Sequence, residues 1–232
     1  VARAFTRYKE IQLSSVVIAN AVKQSPGMDY VDFKQAKDDL NARLDKLTHD
    51  LDVLLHKQHY PTVKFNKWLT THKPFHWYAE FYEIIHGQGG FDVVIGNPPY
   101  VEYSKARKDY IIIDYKTITS GNLYAYVLEK SYTLLTQNGK FGFIVPISFV
   151  CTQRMDQAQN IILENSEYLF VSNYAERPGK LFMGAEVLLS IILSGKGLQP
   201  CNTLTTDYIK WSSEERGFLF DKIVYSNADR LN

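Results

Sequence analysis

The chain has 232 residues and a mass of 26.7 kDa, which suits one large domain or two small ones. Its 26 Lys and Arg residues against 25 Asp and Glu residues exclude a polybasic tail, although not a local basic groove. Two cysteines are too few for a disulfide framework or a four-cysteine zinc site, and no apolar run reaches the roughly 20 residues that cross a bilayer, so we expect a cytoplasmic protein with reduced thiols.

The first 72 residues are predicted to form an α-helical insertion. Apolar residues recur at three- and four-residue steps from Phe5 to Val22, and Ser25-Pro26-Gly27 then breaks the run. A second periodic stretch, from Phe33 to Leu55, carries leucines along one side and charges along the other. Such a stretch is typical of an amphipathic helix that packs on a neighbour, so we expect a helical hairpin over residues 1–72.

From residue 73 onwards the pattern changes to strands that alternate with helices. A short helix is predicted from Trp77 to Ile85, ended by glycines, and the apolar run Phe91–Gly96 predicts a fully buried parallel strand. The alternation is typical of an open α/β sheet, so the predicted fold class is α/β, with residues 73–232 as a second domain. The later predicted elements are a helix Asn122–Leu135 closed by Asn138-Gly139, a strand Lys140–Pro146, a helix ending at Asn165, and strands Tyr168–Asn173 and Val187–Leu193.

The most informative motif is Asn97-Pro98-Pro99-Tyr100, which follows the first predicted strand directly. In open α/β sheets the ligand crevice lies beyond the carboxyl ends of the strands. Two prolines stiffen the turn and restrict Asn97 to an extended conformation. The Asn97 amide oxygen and the Pro98 carbonyl therefore form a fixed pair of acceptors that suits both hydrogens of an amino group, and Tyr100 offers a ring for stacking.

The residues around this turn resemble adenine-N6 DNA methyltransferases, which use S-adenosylmethionine, from combined restriction–modification and phage-exclusion systems. The likeness covers roughly residues 73 to 225. The segments that carry it are Phe75–Glu83, Gly89–Tyr103, Gly121–Tyr124, Gly142–Pro146, Arg177–Gly184 and Leu188–Leu193. The resemblance implies part of a Rossmann-like methyltransferase sheet and double-stranded DNA as the partner.

The resemblance also implies a catalytic site. The target adenine would be flipped out of the duplex, and Asn97 and the Pro98 carbonyl would accept hydrogen bonds from its 6-amino group. Tyr100, which follows Pro99, would stack on the base, and Asn97 would also adjoin S-adenosylmethionine. Phe182 is a candidate second aromatic wall, although a core phenylalanine is the alternative.

Tyr103 and several basic side chains near the turn are candidate phosphate contacts. A solvated basic loop, offset by Asp109 and Asp114, is the alternative. Arg177 and Lys180 are further candidates for contact with DNA. The residues of the first group are Tyr103, Lys105, Arg107, Lys108 and Lys116.

One part of the family's pattern is missing. Neither Ser25-Pro26-Gly27 nor Gly87-Gln88-Gly89-Gly90 has the strand–turn–helix context of a cofactor loop. We also expect the target-recognition domain of this family to lie outside these 232 residues. We therefore expect an internal segment of a larger methylase that binds S-adenosylmethionine weakly by itself.

Two other functions stay open. The same turn would serve a methylase of protein glutamine or of RNA guanine, although the segments Phe75–Glu83 and Arg177–Gly184 favour DNA. A DNA-binding subunit without catalysis is the alternative of another class. His56 and His59 are too poorly supported for a metal site, and Cys151 is expected to be a packed thiol.

Overall fold

The structure is a computed structural model that describes residues 30–182, 186–221 and 223–228. The predicted helix Phe5–Val22 lies outside these residues. The chain divides into two compact units, Val1–Gly87 and Gln88–Asn232. The sequence boundary after residue 72 thus falls within the first unit.

The first unit is helical. Helix α1 (Tyr30–His59) confirms the second predicted helix, and α2 (Phe65–His72) and α3 (Trp77–Glu80) follow it. The prediction of one helix from Trp77 to Ile85 is wrong in its second half, because Phe81 leaves the helical conformation (φ −110°, ψ 38°) and a π-helical turn forms at Glu83–Gly87.

The small core of the first unit explains why this unit extends to Gly87 and not only to residue 72. Leu47 of α1 packs with Ala79 and Tyr82, and a Nε2–Oδ1 contact of 2.8 Å joins His76 to Asp52. The segment after residue 72 therefore packs against α1. None of the described helices is both long and apolar enough to span a bilayer.

The second unit is built on a mixed six-stranded sheet with the order β1-β2-β4-β3-β5-β6. Strands β1, β2, β3 and β5 run in one direction, and β4 and β6 run in the other. The predicted α/β class is confirmed. The strands are β1 (Phe91–Gly96), β2 (Leu135–Pro146), β3 (Ser166–Tyr174), β4 (Leu189–Lys196), β5 (Asn202–Ile209) and β6 (Ser226–Asn227).

Helices connect these strands and cover one side of the core. The described helices of this unit are α4 (Tyr103–Ala106), α5 (Leu123–Leu134), α6 (Ser148–Cys151) and α7 (Asp156–Asn165), with 3₁₀ turns at Lys116–Ser120, Gln153–Met155 and Ser213–Phe218. Tyr124 and Leu128 of α5 and Ile162 of α7 pack with Val145 and Ile192 of the sheet, all fully buried. Since β1, β2 and β3 are parallel, their carboxyl ends lie at one edge of the sheet.

The prediction that β1 is fully buried is wrong. Val93 is 59% exposed and Ile95 is 78% exposed. Strand β1 occupies the end of the sheet described here and has β2 as its neighbour there. Val94, which points to the opposite face, packs against the core.

Three smaller predictions also need correction. The Asn138-Gly139 pair does not close a helix, because α5 ends at Leu134 and β2 begins at the next residue. Strand β4 starts at Leu189 and runs antiparallel to both of its neighbours. Cys151 is exposed and Cys201 is the buried thiol.

Candidate active site

The predicted catalytic turn lies at the carboxyl end of β1. Side chains alternate through it: Asn97 and Pro99 are exposed, Pro98 is buried and Tyr100 is half-buried. Pro98 and Tyr100 thus hold the turn to the protein. Among the described residues, no hydrogen bond engages the Asn97 side chain or the Pro98 carbonyl. The turn therefore presents two acceptors that are available to a ligand.

Tyr100 is fixed by its hydroxyl. The Tyr100 hydroxyl donates a 3.0 Å hydrogen bond to the carbonyl oxygen of Ile144 in β2. Its ring packs against the core and meets Tyr124 edge-on, with 6.5 Å between the ring centroids. Burial raises the pKa of Tyr100 to about 12. The hydroxyl is therefore neutral and belongs to the fold, and the half-exposed ring is the part that a ligand can reach.

The segment after Tyr100 is paired with the start of α5. Glu102 and Asn122 form an antiparallel bridge, in which the Tyr103 amide donates to the Gly121 carbonyl (2.8 Å) and the Leu123 amide donates to the Val101 carbonyl (2.9 Å). The turn is therefore held on both sides, by β1 before it and by this bridge after it.

Tyr103 anchors the loop that follows α4. Its hydroxyl donates to the Tyr110 carbonyl (3.3 Å) and accepts from the Ile112 amide (3.1 Å). Its ring meets Tyr126 edge-on at 5.7 Å. The hydroxyl of Tyr103, a residue predicted to contact DNA, is thus engaged within the protein.

The predicted basic contacts on this side of the sheet are solvent-exposed. Lys105 lies on α4, Arg107 and Lys108 follow it directly, and Lys116 begins the 3₁₀ turn Lys116–Ser120. The exposed side chains are Lys105, Arg107, Lys108 and Lys116. Their place next to the turn suits a phosphate backbone, and their role stays a prediction.

The second group of predicted residues follows β3. Arg177 is almost fully exposed, Lys180 Nζ lies 3.4 Å from a Glu186 carboxylate oxygen, and Phe182 is half-buried. Strands β2 and β4 separate β3 from β1, a lateral distance of about 14 Å. In the part of the chain that the structure describes, no ring contact joins Phe182 to Tyr100. The two groups share the carboxyl edge but form separate clusters.

An ion pair beside the turn was missed by our sequence interpretation. Arg154 Nη2 lies 2.8 Å from Glu102 Oε1, and Arg154 Nη1 lies 3.3 Å from Glu102 Oε2. Fifty-two residues separate the two side chains. No local sequence pattern connects residues so far apart, so the ion pair can be recognised only in the folded structure.

No group of three or more His, Cys, Asp or Glu side chains that could hold a metal ion occurs among the described residues. His56 Nε2 lies 2.6 Å from the Val63 carbonyl oxygen, and the His56 ring packs against Phe65 and Trp68. These contacts give His56 a structural role in the first unit.

Comparison with known proteins identifies relatives among restriction–modification enzymes. A protein of Methanocaldococcus jannaschii, named as a type II restriction enzyme and methyltransferase, is 34% identical over 125 residues, which are 53% of this chain and 10% of that protein. This chain thus spans about a tenth of the length of that curated relative.

Two solved structures, one with DNA and one with a DNA substrate mimic, are similar to part of this chain. The DrdV–DNA complex has a TM-score of 0.49 and 13% identity over 65% of this chain and 18% of its own. A nuclease-deletion mutant of the type ISP enzyme LlaGI, in complex with a DNA substrate mimic, has a TM-score of 0.48 and 14% identity over 84% of this chain and 22% of its own.

The model of one protein family matches most of the chain. Its match runs over residues 9–179 and so includes the turn at Asn97, the bridge at Glu102 and helix α5. More than half of the 232 residues fall within it. The chain belongs to the Eco57I restriction-modification methylase family.

Proposed function

We propose that this chain is the motif-bearing part of a DNA methyltransferase that transfers a methyl group from S-adenosylmethionine to the 6-amino group of adenine. Membership of a restriction-modification methylase family supports a DNA methyltransferase. The observation that carries the adenine assignment is the exposed turn at Asn97, whose two acceptors are open. Two neighbouring acceptor oxygens, the Asn97 amide oxygen and the Pro98 carbonyl oxygen, suit the two hydrogens of an exocyclic NH₂ group.

The proposed chemistry depends on positioning. The Asn97 amide oxygen and the Pro98 carbonyl would each accept one amino hydrogen, which localises the nitrogen lone pair that is otherwise shared with the purine ring. The amino nitrogen then bonds to the methyl carbon as the methyl–sulfur bond breaks, and it releases one proton to solvent. Preorganised acceptors and proximity supply the rate enhancement.

Tyr100 is the proposed stacking partner of the extrahelical adenine. Its hydroxyl is held by Ile144, so the ring has one orientation. A ring that is fixed before the base arrives loses little conformational entropy on binding. Stacking of this kind contributes about 1–3 kcal/mol per base.

S-adenosylmethionine would supply the electrophilic methyl group. The two open carbonyl-type oxygens would meet a sulfonium cation without charge repulsion, so the residues of the turn suit the reactive end of this cofactor. Asn97 is the residue of this chain that we assign to that contact. The remaining cofactor contacts are proposed to come from other parts of a longer polypeptide.

Duplex DNA is the proposed partner. Lys105, Arg107 and Lys108 are exposed at and just after α4, and we propose that they contact phosphates, together with the exposed Lys116. Arg177 is proposed as a more distant contact, because it projects into solvent after β3.

The decisive experiment is the replacement Asn97→Ala in the complete gene product that carries these residues. We expect methyl transfer from labelled S-adenosylmethionine to unmethylated genomic DNA to fall at least a hundredfold, because one of two acceptors is lost. The dissociation constant for DNA should stay within about twofold, since no phosphate contact is removed. Asn138→Ala, at an exposed position early in β2, is the matched control and should keep full activity.

The product identifies the substrate. Mass spectrometry of digested DNA from the unaltered enzyme should show N6-methyladenine. Methylation of glutamine or of RNA guanine without any in DNA would contradict the adenine assignment. DNA binding without transfer to any acceptor would favour the non-catalytic subunit.

A further inference from the structure

Glu102 ties the segment that carries the turn to two other residues, Asn122 and Arg154. Its carboxylate accepts two hydrogen bonds from the Arg154 guanidinium, at 2.8 and 3.3 Å, and one from the Asn122 side-chain amide at 3.3 Å. Its backbone is bridged to Asn122. A carboxylate that accepts a forked guanidinium is fixed in direction as well as in distance.

Both partners of Glu102 are themselves anchored. Asn122 is the N-cap of α5, and its side-chain oxygen accepts from the Tyr124 amide at 3.4 Å. Arg154 lies in the 3₁₀ turn Gln153–Met155, whose Met155 is fully buried and receives the Tyr124 hydroxyl at 3.3 Å. The same buried Tyr124 therefore supports both partners of Glu102, and the pair is attached to the core and not to a mobile surface.

The exposure of the pair argues against a role in stability. The Glu102 side chain is 38% exposed and the Arg154 side chain is 43% exposed. Ion pairs in contact with solvent contribute little to folding, since water screens them and their side chains lose freedom. The forked contact still orients the backbone at Glu102, although it adds little stability. Because Glu102 is only two residues from Tyr100, this orientation extends to the end of the turn.

We propose that Glu102 and Arg154 form a positioning pair that sets the direction of the Asn97–Tyr100 turn for methyl transfer. This inference rests on the proposed function. Neither residue touches the substrate. The pair acts through the backbone at Val101, so that the two acceptors and the Tyr100 ring point at the same place when the base arrives. Small misplacements of such groups lower turnover strongly.

The test uses Glu102→Gln in the complete gene product, with transfer of labelled methyl groups to unmethylated genomic DNA as the readout. We expect kcat to fall by about fivefold to tenfold, because a solvent-exposed pair can bias the turn by no more than its own small interaction energy. The KM for S-adenosylmethionine and the dissociation constant for DNA should stay within about twofold, because no ligand contact is removed. The melting temperature should change by no more than about 3 °C.

A second ion pair of the same sheet provides the control. Lys140, midway along β2, and Glu167, near the amino end of β3, lie 3.6 Å apart, and both side chains are 50% exposed. Glu167→Gln removes an equally exposed pair that is remote from the turn, so kcat should be unchanged. The exchanged pair, Glu102→Arg with Arg154→Glu, should recover at least a third of the wild-type kcat.

Each outcome decides between the two proposals. No transfer to DNA by the unaltered enzyme would refute the proposed function and the positioning pair with it. Normal kcat in Glu102→Gln, beside an active wild type, would refute the positioning pair alone. Loss of kcat together with a large drop in melting temperature would assign the two residues to folding and would refute the positioning pair. Failure of the exchanged pair together with weaker DNA binding would assign them to DNA contact and would also refute it.

Discussion

At the scale of single residues, the fold and the proposed chemistry use different parts of Tyr100. The hydroxyl donates to the Ile144 carbonyl, and the ring stays half-exposed beside the turn. The burial that raises the pKa of Tyr100 to about 12 favours the neutral hydroxyl, whose ordinary pKa is about 10. The stabilisation is therefore complete below pH 10 and is lost as the pH rises from 10 to 12.

Tyr100→Phe should lower the free energy of unfolding by about 1 kcal/mol at pH 7, because the Ile144 carbonyl loses its donor. The difference from wild type should shrink between pH 10 and 12, since the variant has no hydroxyl to ionise in the unfolded chain. Urea unfolding at several pH values measures both quantities. Tyr110→Phe, at a 47% exposed tyrosine, is the control, and a difference that grew with pH would contradict this explanation.

At the scale of elements, the entry to β1 depends on one glycine. Gly90 has a φ of +132°, and a Cβ atom there would lie 2.4 Å from the Leu134 carbonyl oxygen and 2.8 Å from the Leu135 carbonyl carbon. These are backbone atoms at the junction of α5 and β2, so they cannot move away as a flexible side chain could. The close approach lets β1 begin beside β2.

Gly90→Ala should therefore lower the free energy of unfolding by about 2 to 4 kcal/mol, from backbone strain and overpacking together. Gly89→Ala separates the two causes, because Gly89 also has a positive φ (+83°) but has no atom within 4 Å of its added Cβ. It should lose only about 1 to 2 kcal/mol. Equal losses in the two variants, measured by urea unfolding, would show that the contact with Leu134 is not the cause.

The elements also show how far sequence patterns reach. Helices α1 and α5 and strands β1 and β3 were predicted from local apolar patterns, which the chain displays directly. The exposure of β1 and the antiparallel direction of β4 were not predicted, because both depend on which strands become neighbours in the sheet. The same limit applies to the site: the tetrapeptide at Asn97 is visible in the sequence, whereas the contact of Glu102 with Arg154 requires the folded chain.

At the scale of the whole second unit, the sheet has an exposed apolar face. Val93 and Ile95 of β1 lie on it, and Ile95 approaches Gly142 of β2, whose other neighbour Leu193 of β4 is also exposed. A patch of this kind at the end of a sheet favours association with other chains.

Ile95→Lys should therefore reduce self-association of this chain at about 100 μM, because it places a charge on that face. Stability should change by less than about 0.5 kcal/mol, since the side chain is 78% exposed. Light scattering measures the effect. Leu198→Lys, at an 84% exposed residue between β4 and β5, is the control, and a wild-type chain that stays monomeric at this concentration would contradict the prediction.

The parallel pairing of β1 with β2 has a consequence for how the site matures. Residues 97–134 lie between these two strands and include the proposed catalytic turn. A parallel pair closes only when its whole crossover has been laid down, and such distant contacts make folding slow. The turn and the carboxyl edge of the sheet therefore reach their final structure in the same late folding step. We expect a newly synthesised chain to form the proposed catalytic turn only after β1 has paired with β2.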